Sequence, residues 1–170
     1  MPLIYFIRHG QTDWNAEQRY QGQRDIPLND TGRQQAARNG RKLGEMITQP
    51  DKFEFVASPL SRTTETMEIV RREMGLAPQD FRKDPILKEI NYGDWEGSTL
   101  DELCANSPNA VKARMADKWN SNVYRGESYA MLSERASKWF DSVERDSVIV
   151  SHGAFSRCLR GHILQLGEDE

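Results

Sequence analysis

Short unbroken apolar runs alternate along this chain with longer stretches in which apolar and small residues return every three or four positions. The runs at 3–7, 53–57, which Glu54 interrupts, and 147–150 are rich in β-formers and too short for helices, so each predicts a strand, the first of them covered on both faces. The first of them reads as a central parallel strand. Between them, Ala36, Ala37, Leu43 and Met46 recur at helical spacing among arginines and predict an amphipathic helix over 31–46, with Asn29, Asp30 or Thr31 as its cap. A second helix is predicted over 61–74, ended by Gly75. Short helices follow at 101–105 and 111–119, separated by Pro108, and Leu132, Ala136, Trp139 and Phe140 mark a helix over 129–143 capped by Ser128. The last strand runs into His152-Gly153 and a helix over 155–166.

Strands alternating with helices predict an α/β fold, a three-layer α/β/α sandwich around a mainly parallel sheet, with ligands bound where strands give way to loops at their carboxyl ends. No repeat, low-complexity tract or linker divides the chain, so residues 1–170 are expected to form a single domain. The least regular stretch, 91–127, is expected to cap the site.

Two strand ends carry histidine followed by glycine: Ile7-Arg8-His9-Gly10 and Val150-Ser151-His152-Gly153. A side chain at such a junction is held rigidly yet stays reachable. An imidazole beside the guanidinium of Arg8, with Asn15 close behind, offers a nitrogen nucleophile next to donors suited to phosphate oxygens. Phosphoryl chemistry is the reading these residue types support.

Composition narrows this further. In 170 residues, 37% hydrophobic and 29% charged, with a net charge of −3, there is one core's worth of apolar material and no basic block, so neither nucleic acid nor an anionic membrane is an expected partner. No apolar run approaches the roughly 18 residues of a membrane span, and the chain enters its first strand without a leader-like segment, which predicts a cytoplasmic protein. Cys104 and Cys158 lack ligand spacing and are read as reduced thiols. No carboxylate cluster has metal spacing, so neither metal nor cofactor is expected.

Arg8-His9-Gly10 with Thr12, Trp14 and Asn15 resembles the signature of the histidine phosphatase superfamily, the phosphoglycerate-mutase-like proteins. Further blocks follow in that family's order: Ser58-Pro59-Leu60-Ser61-Arg62-Thr63-Thr64-Glu65-Thr66, Leu87 through Gly97, Gly126-Glu127-Ser128, and Val150-Ser151-His152-Gly153. The resemblance implies a phosphoglycerate-mutase-like fold and assigns roles. His9 would be the nucleophile, with its ring oriented through the opposite nitrogen. His152 would face it and donate to phosphate oxygens, Arg8 and Arg62 would clamp the phosphate, and Glu89 would be the general acid. Asn15 would add an amide contact, and the glycines at 10 and 153 would allow close backbone approach. Glu96 and Asp94 compete with Glu89 for the acid's place, each also readable as a solvated loop carboxylate. Trp14, Tyr92 and Trp95 either line the pocket mouth or simply pack, and His162 is read as surface or packing.

The expected activity is a phosphomonoesterase acting on a small phosphorylated metabolite through a phosphohistidine. Two alternatives stay open: a cofactor-dependent phosphoglycerate mutase and a catalytically silent phospho-ligand-binding domain. Ile90-Asn91-Tyr92 after Glu89, and no Arg-Arg pair between Gly97 and Gly126, resemble the phosphatase branches more than the mutases. Family members usually continue into a further strand where this chain reaches Glu168-Asp169-Glu170, so either the sheet is one strand smaller or the sequence lacks its natural tail. Nothing in the sequence sets the oligomeric state.

Overall fold

The computed structural model describes residues 2–167. Glu168, Asp169 and Glu170 lie outside the described residues. Among the described residues four strands form one parallel sheet: β1 (Ile4–Arg8), β2 (Glu54–Ala57), β3 (Arg82–Lys83) and β4 (Ser147–Ser151), in the spatial order β1-β4-β2-β3. Ile7 pairs with Val150 across β1 and β4, and Ala57 pairs with the same Val150 from the other side. The carboxyl ends of β1, β2 and β4 therefore finish level with one another.

Helices cover both faces. α2 (Asp30–Met46) and α3 (Ser61–Glu73) lie on one side, where Leu43, Met67 and Val70 pack on Phe55, Ala57, Val148 and Val150. α6 (Tyr129–Asp141) and α7 (Gly153–Leu164) lie on the other, where Leu132, Trp139, Phe155 and Leu159 pack on Val56 and Ile149. Successive residues of β2 and β4 thus face opposite cores, which is the strand period of two expressed in a three-layer sandwich. Each fully buried side chain of the size of Phe155 or Met67 contributes about 1.5–3 kcal/mol.

The helix starts follow their caps. Asn29 accepts from the Gly32 amide at 2.9 Å and opens α2, and the Ser128 hydroxyl accepts from the Met131 amide and opens α6. Gly75, with φ +75°, follows the end of α3.

The structure corrects several expectations. β1 is an edge strand of the described sheet, not a central one. Its apolar run arises because Ile4 and Phe6 face one core while Tyr5 and Ile7 face the other; the pattern reports cover on two faces and says nothing of lateral neighbours. Pro108 does not lie between two helices. It is the first residue of α5 (Pro108–Ala116), where a missing N–H costs nothing, and α4 (Leu100–Asn106) ends just before it. α7 begins at Gly153 rather than 155. Beyond short 3₁₀ turns, the structure adds α1 (Asp13–Ala16), a single turn held by a Thr12–Asn15 capping box, and the two-residue strand β3, whose exposed charged side chains protect a sheet edge. Within 91–127, Trp95, Leu103, Val111 and Val123 form a small core of their own, against which Tyr20 and Tyr92 pack.

Candidate active site

The two histidine-glycine junctions meet because β1 and β4 are neighbours. The His9 amide continues the ladder to the Ser151 carbonyl at 3.0 Å, and the two imidazole centroids lie 5.1 Å apart with the rings tilted at 62°. His9 is buried, and its Nδ1 lies 2.7 Å from the carbonyl of Gly10. A carbonyl oxygen only accepts, so Nδ1 carries the hydrogen. Burial, with Arg62 and then Arg8 adding to it against the Gly10 bond, pulls the His9 pKa down to about 3. The ring is therefore neutral at physiological pH, and Nε2 holds an unprotonated lone pair.

His152 is more deeply buried, and its pKa is likewise held well below the usual range by burial first and then by Arg62. Its Nε2 lies 2.9 Å from the Ser58 hydroxyl, and Nδ1 has no hydrogen-bond partner among the described residues. A buried ring nitrogen without a partner is costly unless a ligand supplies one.

Arg62 projects from the first turn of α3 and is fully buried. Its NH1 and NH2 donate to the carbonyls of Arg24 and Gly22 at 2.7 and 2.8 Å, and buried Nε has no partner. Burial lowers its pKa to about 10, which leaves it charged at neutral pH. Arg8 packs against Gly153, where an added methyl would stand 3.5 Å from the guanidinium Nε, an ordinary contact. The tight approach is at Gly10, where an added methyl would meet the Gly32 carbonyl of α2 at 2.2 Å. That glycine is required by helix packing rather than by a ligand.

Glu89 follows a 3₁₀ turn (Pro85–Leu87) on a loop, and its carboxylate lies on the amino end of α7. Oε1 accepts from the amides of Ile90, Ala154 and Phe155 at 3.0, 3.2 and 3.3 Å, whereas Oε2 accepts only from Ala154 at 3.2 Å. The His152 side chain supplies no cap to this helix, so Glu89 satisfies two of its orphan N–H groups from across the chain. The Asn15 carbonyl oxygen is engaged by Thr12, which leaves its Nδ2 as the group able to meet a ligand.

Arg8, His9, Asn15, Arg62, Glu89 and Gly153 line a single cavity of about 260 Å³, with His152 packed edge-on against His9. Four arginines (Arg8, Arg19, Arg62 and Arg157) and one carboxylate line it, so the cavity is built for an anion. From 91–127 only Tyr92 reaches this wall; Trp14, Tyr20, Gln21 and Gly22 supply most of the opposite side. Trp14 and Tyr92 are thus at the pocket, and Trp95 packs in the 91–127 core. Burial raises the Tyr92 pKa, so it stays a phenol. His162 lies outside the cavity, 3.8 Å from Asp141 and edge-on to Phe140. A larger groove of about 1150 Å³ between α6 and the end of α7 shares only Arg157 with the cavity. Among the described residues no three His, Cys, Asp or Glu side chains converge as metal ligands would.

Glu96 is not a solvated loop carboxylate. Its side chain is 8% exposed, and Oε1 accepts from the amides of Gln23 and Tyr92 at 2.8 and 3.2 Å. Gly22, with φ +52°, passes so close that an added methyl would stand 2.0 Å from Oε1. Glu96 therefore fixes the loop whose carbonyls hold Arg62. Neither the rival-acid nor the solvated reading of Glu96 holds this structural role, whereas Asp94, which is exposed, does fit the solvated reading.

The model of the Histidine phosphatase superfamily (branch 1) matches residues 4–170. The chain is 36% identical over 172 residues to the Escherichia fergusonii protein named "Probable phosphoglycerate mutase GpmB", covering 98% of this chain and 76% of the relative. Among solved structures, Bacillus stearothermophilus YhfR superposes with a TM-score of 0.81 at 33% identity, covering 98% of this chain and 81% of that one. A mycobacterial glucosyl-3-phosphoglycerate phosphatase solved with VO3 superposes with a TM-score of 0.78 at 31% identity, covering 95% and 81%. No helix among the described residues is long and apolar enough to cross a membrane.

Proposed function

We propose that this chain, which belongs to the histidine phosphatase superfamily, is a phosphomonoesterase that hydrolyses a small phosphorylated metabolite through a phosphohistidine at His9. The observation that carries the reading is complementarity. One ring nitrogen, Nε2 of His9, has a free lone pair, Arg62 Nε is a buried donor without a protein partner, and the buried Nδ1 of His152 is likewise left for a ligand to meet.

In the first step Nε2 attacks phosphorus, the P–N bond forms and the P–O bond to the leaving group breaks. Glu89 delivers a proton from Oε2, its less engaged oxygen, to the departing alkoxide. Arg8, Arg62, Asn15 and the backbone around Gly153 take the equatorial oxygens, with His152 donating from Nδ1. In the second step water attacks, the P–N bond breaks, and the Glu89 carboxylate takes the water's proton. The guanidinium groups supply the charge neutralisation that a metal supplies elsewhere.

Relatives named as mutase and as phosphatase leave the acceptor to be decided. The hydrolytic reading is supported by the arginines of 91–127: Arg114 donates to the Lys118 carbonyl, Arg125 sits beside Tyr124, and neither lines the cavity where a second phosphate would need them. The relative solved with VO3 fits an oxyanion site of this kind. We also read 91–127 as a cover within one domain, reaching the cavity through Tyr92 and bracing the loop behind Arg62 through Glu96. Free Cys104 and Cys158 suit a reducing cytoplasm.

The test is incubation of purified protein with p-nitrophenyl phosphate, and separately with 3-phosphoglycerate plus bisphosphoglycerate. Release of inorganic phosphate, at a rate unchanged by EDTA, is expected. Isomerisation of phosphoglycerate without release would overturn the assignment.

A further inference from the structure

Glu89 stands on a loop, outside strand and helix, yet general acid catalysis needs its carboxyl placed to within a fraction of an ångström. Something must hold that loop. We infer that Arg135, in the middle of α6, is the positioning residue for Glu89 and works with Glu127 as a strut behind it. This inference rests on the phosphatase reading above.

Every donor of the Arg135 guanidinium has work behind this loop. NH1 donates to the carbonyls of Ile86 and Lys88 at 2.6 and 2.7 Å, and NH2 donates to the Glu89 carbonyl at 3.3 Å. The remaining bonds run to Glu127, from Nε to Oε1 at 3.2 Å and from NH2 to Oε2 at 2.9 Å. These five bonds match the five N–H groups that a guanidinium owns. Glu127 carries the strut onward: its Oε2 accepts from the Asn91 amide at 2.8 Å, and its own amide donates to the Asn91 carbonyl at 2.8 Å. The backbone is therefore gripped at 86, 88, 89 and 91, on both sides of the acid.

Both partners are less than one-fifth exposed, so the pair is poorly screened and geometrically fixed, unlike the surface ion pairs of α2 and α6. The Arg135 guanidinium also stacks over the Phe155 ring, 5.8 Å from its centroid, and Phe155 is one of the α7 residues whose amide holds the Glu89 carboxylate. Arg135 therefore acts on both ends of the carboxyl's support. It does not line the cavity, and its charge also bears on buried His152, so its hold on Glu89 is separated from that effect by a charge-conserving replacement and by the leaving group of the ester. A lysine here has three donors in place of a planar fork of five and cannot grip all of these acceptors.

A misplaced acid is felt only where the leaving group needs a proton. p-Nitrophenolate leaves without one, and the alkoxide of a simple alkyl ester such as glycerol phosphate does not. The experiment compares kcat/KM of wild type, Arg135→Lys and Glu127→Gln on these two esters within the same preparations, so that any unfolded fraction cancels in the ratio. Loss on the alkyl ester of about 10²-fold for Arg135→Lys, with p-nitrophenyl phosphate changed by less than about 3-fold, is expected, and Glu127→Gln should shift the ratio the same way but less. Equal losses on both esters, or no loss on either, would overturn the strut. A wild type that hydrolyses neither ester would instead remove the phosphatase reading, and the inference with it.

Discussion

The ends of β1 and β4 carry nearly the same message, a strand, a histidine and a glycine, and the structure gives the two histidines opposite faces. At His9 the carbonyl of the following glycine takes Nδ1 and leaves Nε2 free. At His152 the chain turns at once into α7, no such carbonyl folds back, and Ser58 takes Nε2 and leaves Nδ1 free. The backbone after each histidine thus selects which nitrogen meets the ligand. One ring presents the lone pair of Nε2 and the other an unpartnered Nδ1, and the proposed reaction uses the first as nucleophile and the second as a donor to phosphate.

If the rings are as unequal as this, replacing them must cost unequal amounts. His9→Asn removes the proposed nucleophilic lone pair and should abolish turnover, a loss of about 10⁴-fold or more in kcat with no phosphoenzyme formed. A silent phospho-ligand sensor would keep its function in that variant. His152→Asn removes one oxyanion donor and should lower kcat by about 10²–10³-fold while still allowing His9 to be phosphorylated slowly. Ser58→Ala frees the His152 ring to change tautomer and should cost about 10-fold, visible in single-turnover phosphorylation.

The smallest effect is on stability. The native state refuses the proton that the unfolded chain accepts at His9 below pH 6.5, so stability should fall as pH drops from 6.5 toward about 3. At pH 5 the loss from His9 alone is about 2 kcal/mol, with His152 adding in the same direction, measurable by urea unfolding at pH 7 and pH 5. Inorganic phosphate should narrow the drop, because an anion beside the rings favours the imidazolium. A pH-independent urea midpoint would show that burial does not control these rings.

The three-layer fold was readable because periodicity reports which faces are covered. It does not report sideways neighbours, and β1 was therefore set in the middle of a sheet whose described edge it forms. Strand β3, two charged residues long, has no apolar pattern to read. The single-turn α1 did leave a sign, the capping pair Thr12 and Asn15, which reading Asn15 only as a ligand contact obscured. Arg8, His9 and His152 stand out because they lie at or just past strand ends, whereas Arg62 in the first turn of α3 and Glu89 on its loop were legible only through the resemblance to the family. Their supports were not. Glu96 reaches Gln23 across 73 residues and Arg135 reaches Ile86 across 49, and nothing local in either segment marks a partner so distant. Buried carboxylates and arginines look in sequence like the solvated ones around them.

The most direct measurement is of the phosphoenzyme itself. Protein mixed with substrate, quenched in cold alkali to preserve P–N bonds and studied by phosphorus–proton correlation NMR and peptide mass mapping, reports both the residue and the ring nitrogen that carries phosphorus. A single phosphoryl group on Nε2 of His9 is the expected result. Phosphate on His152, or on Nδ1 of His9, would contradict the division of labour between the two strand ends.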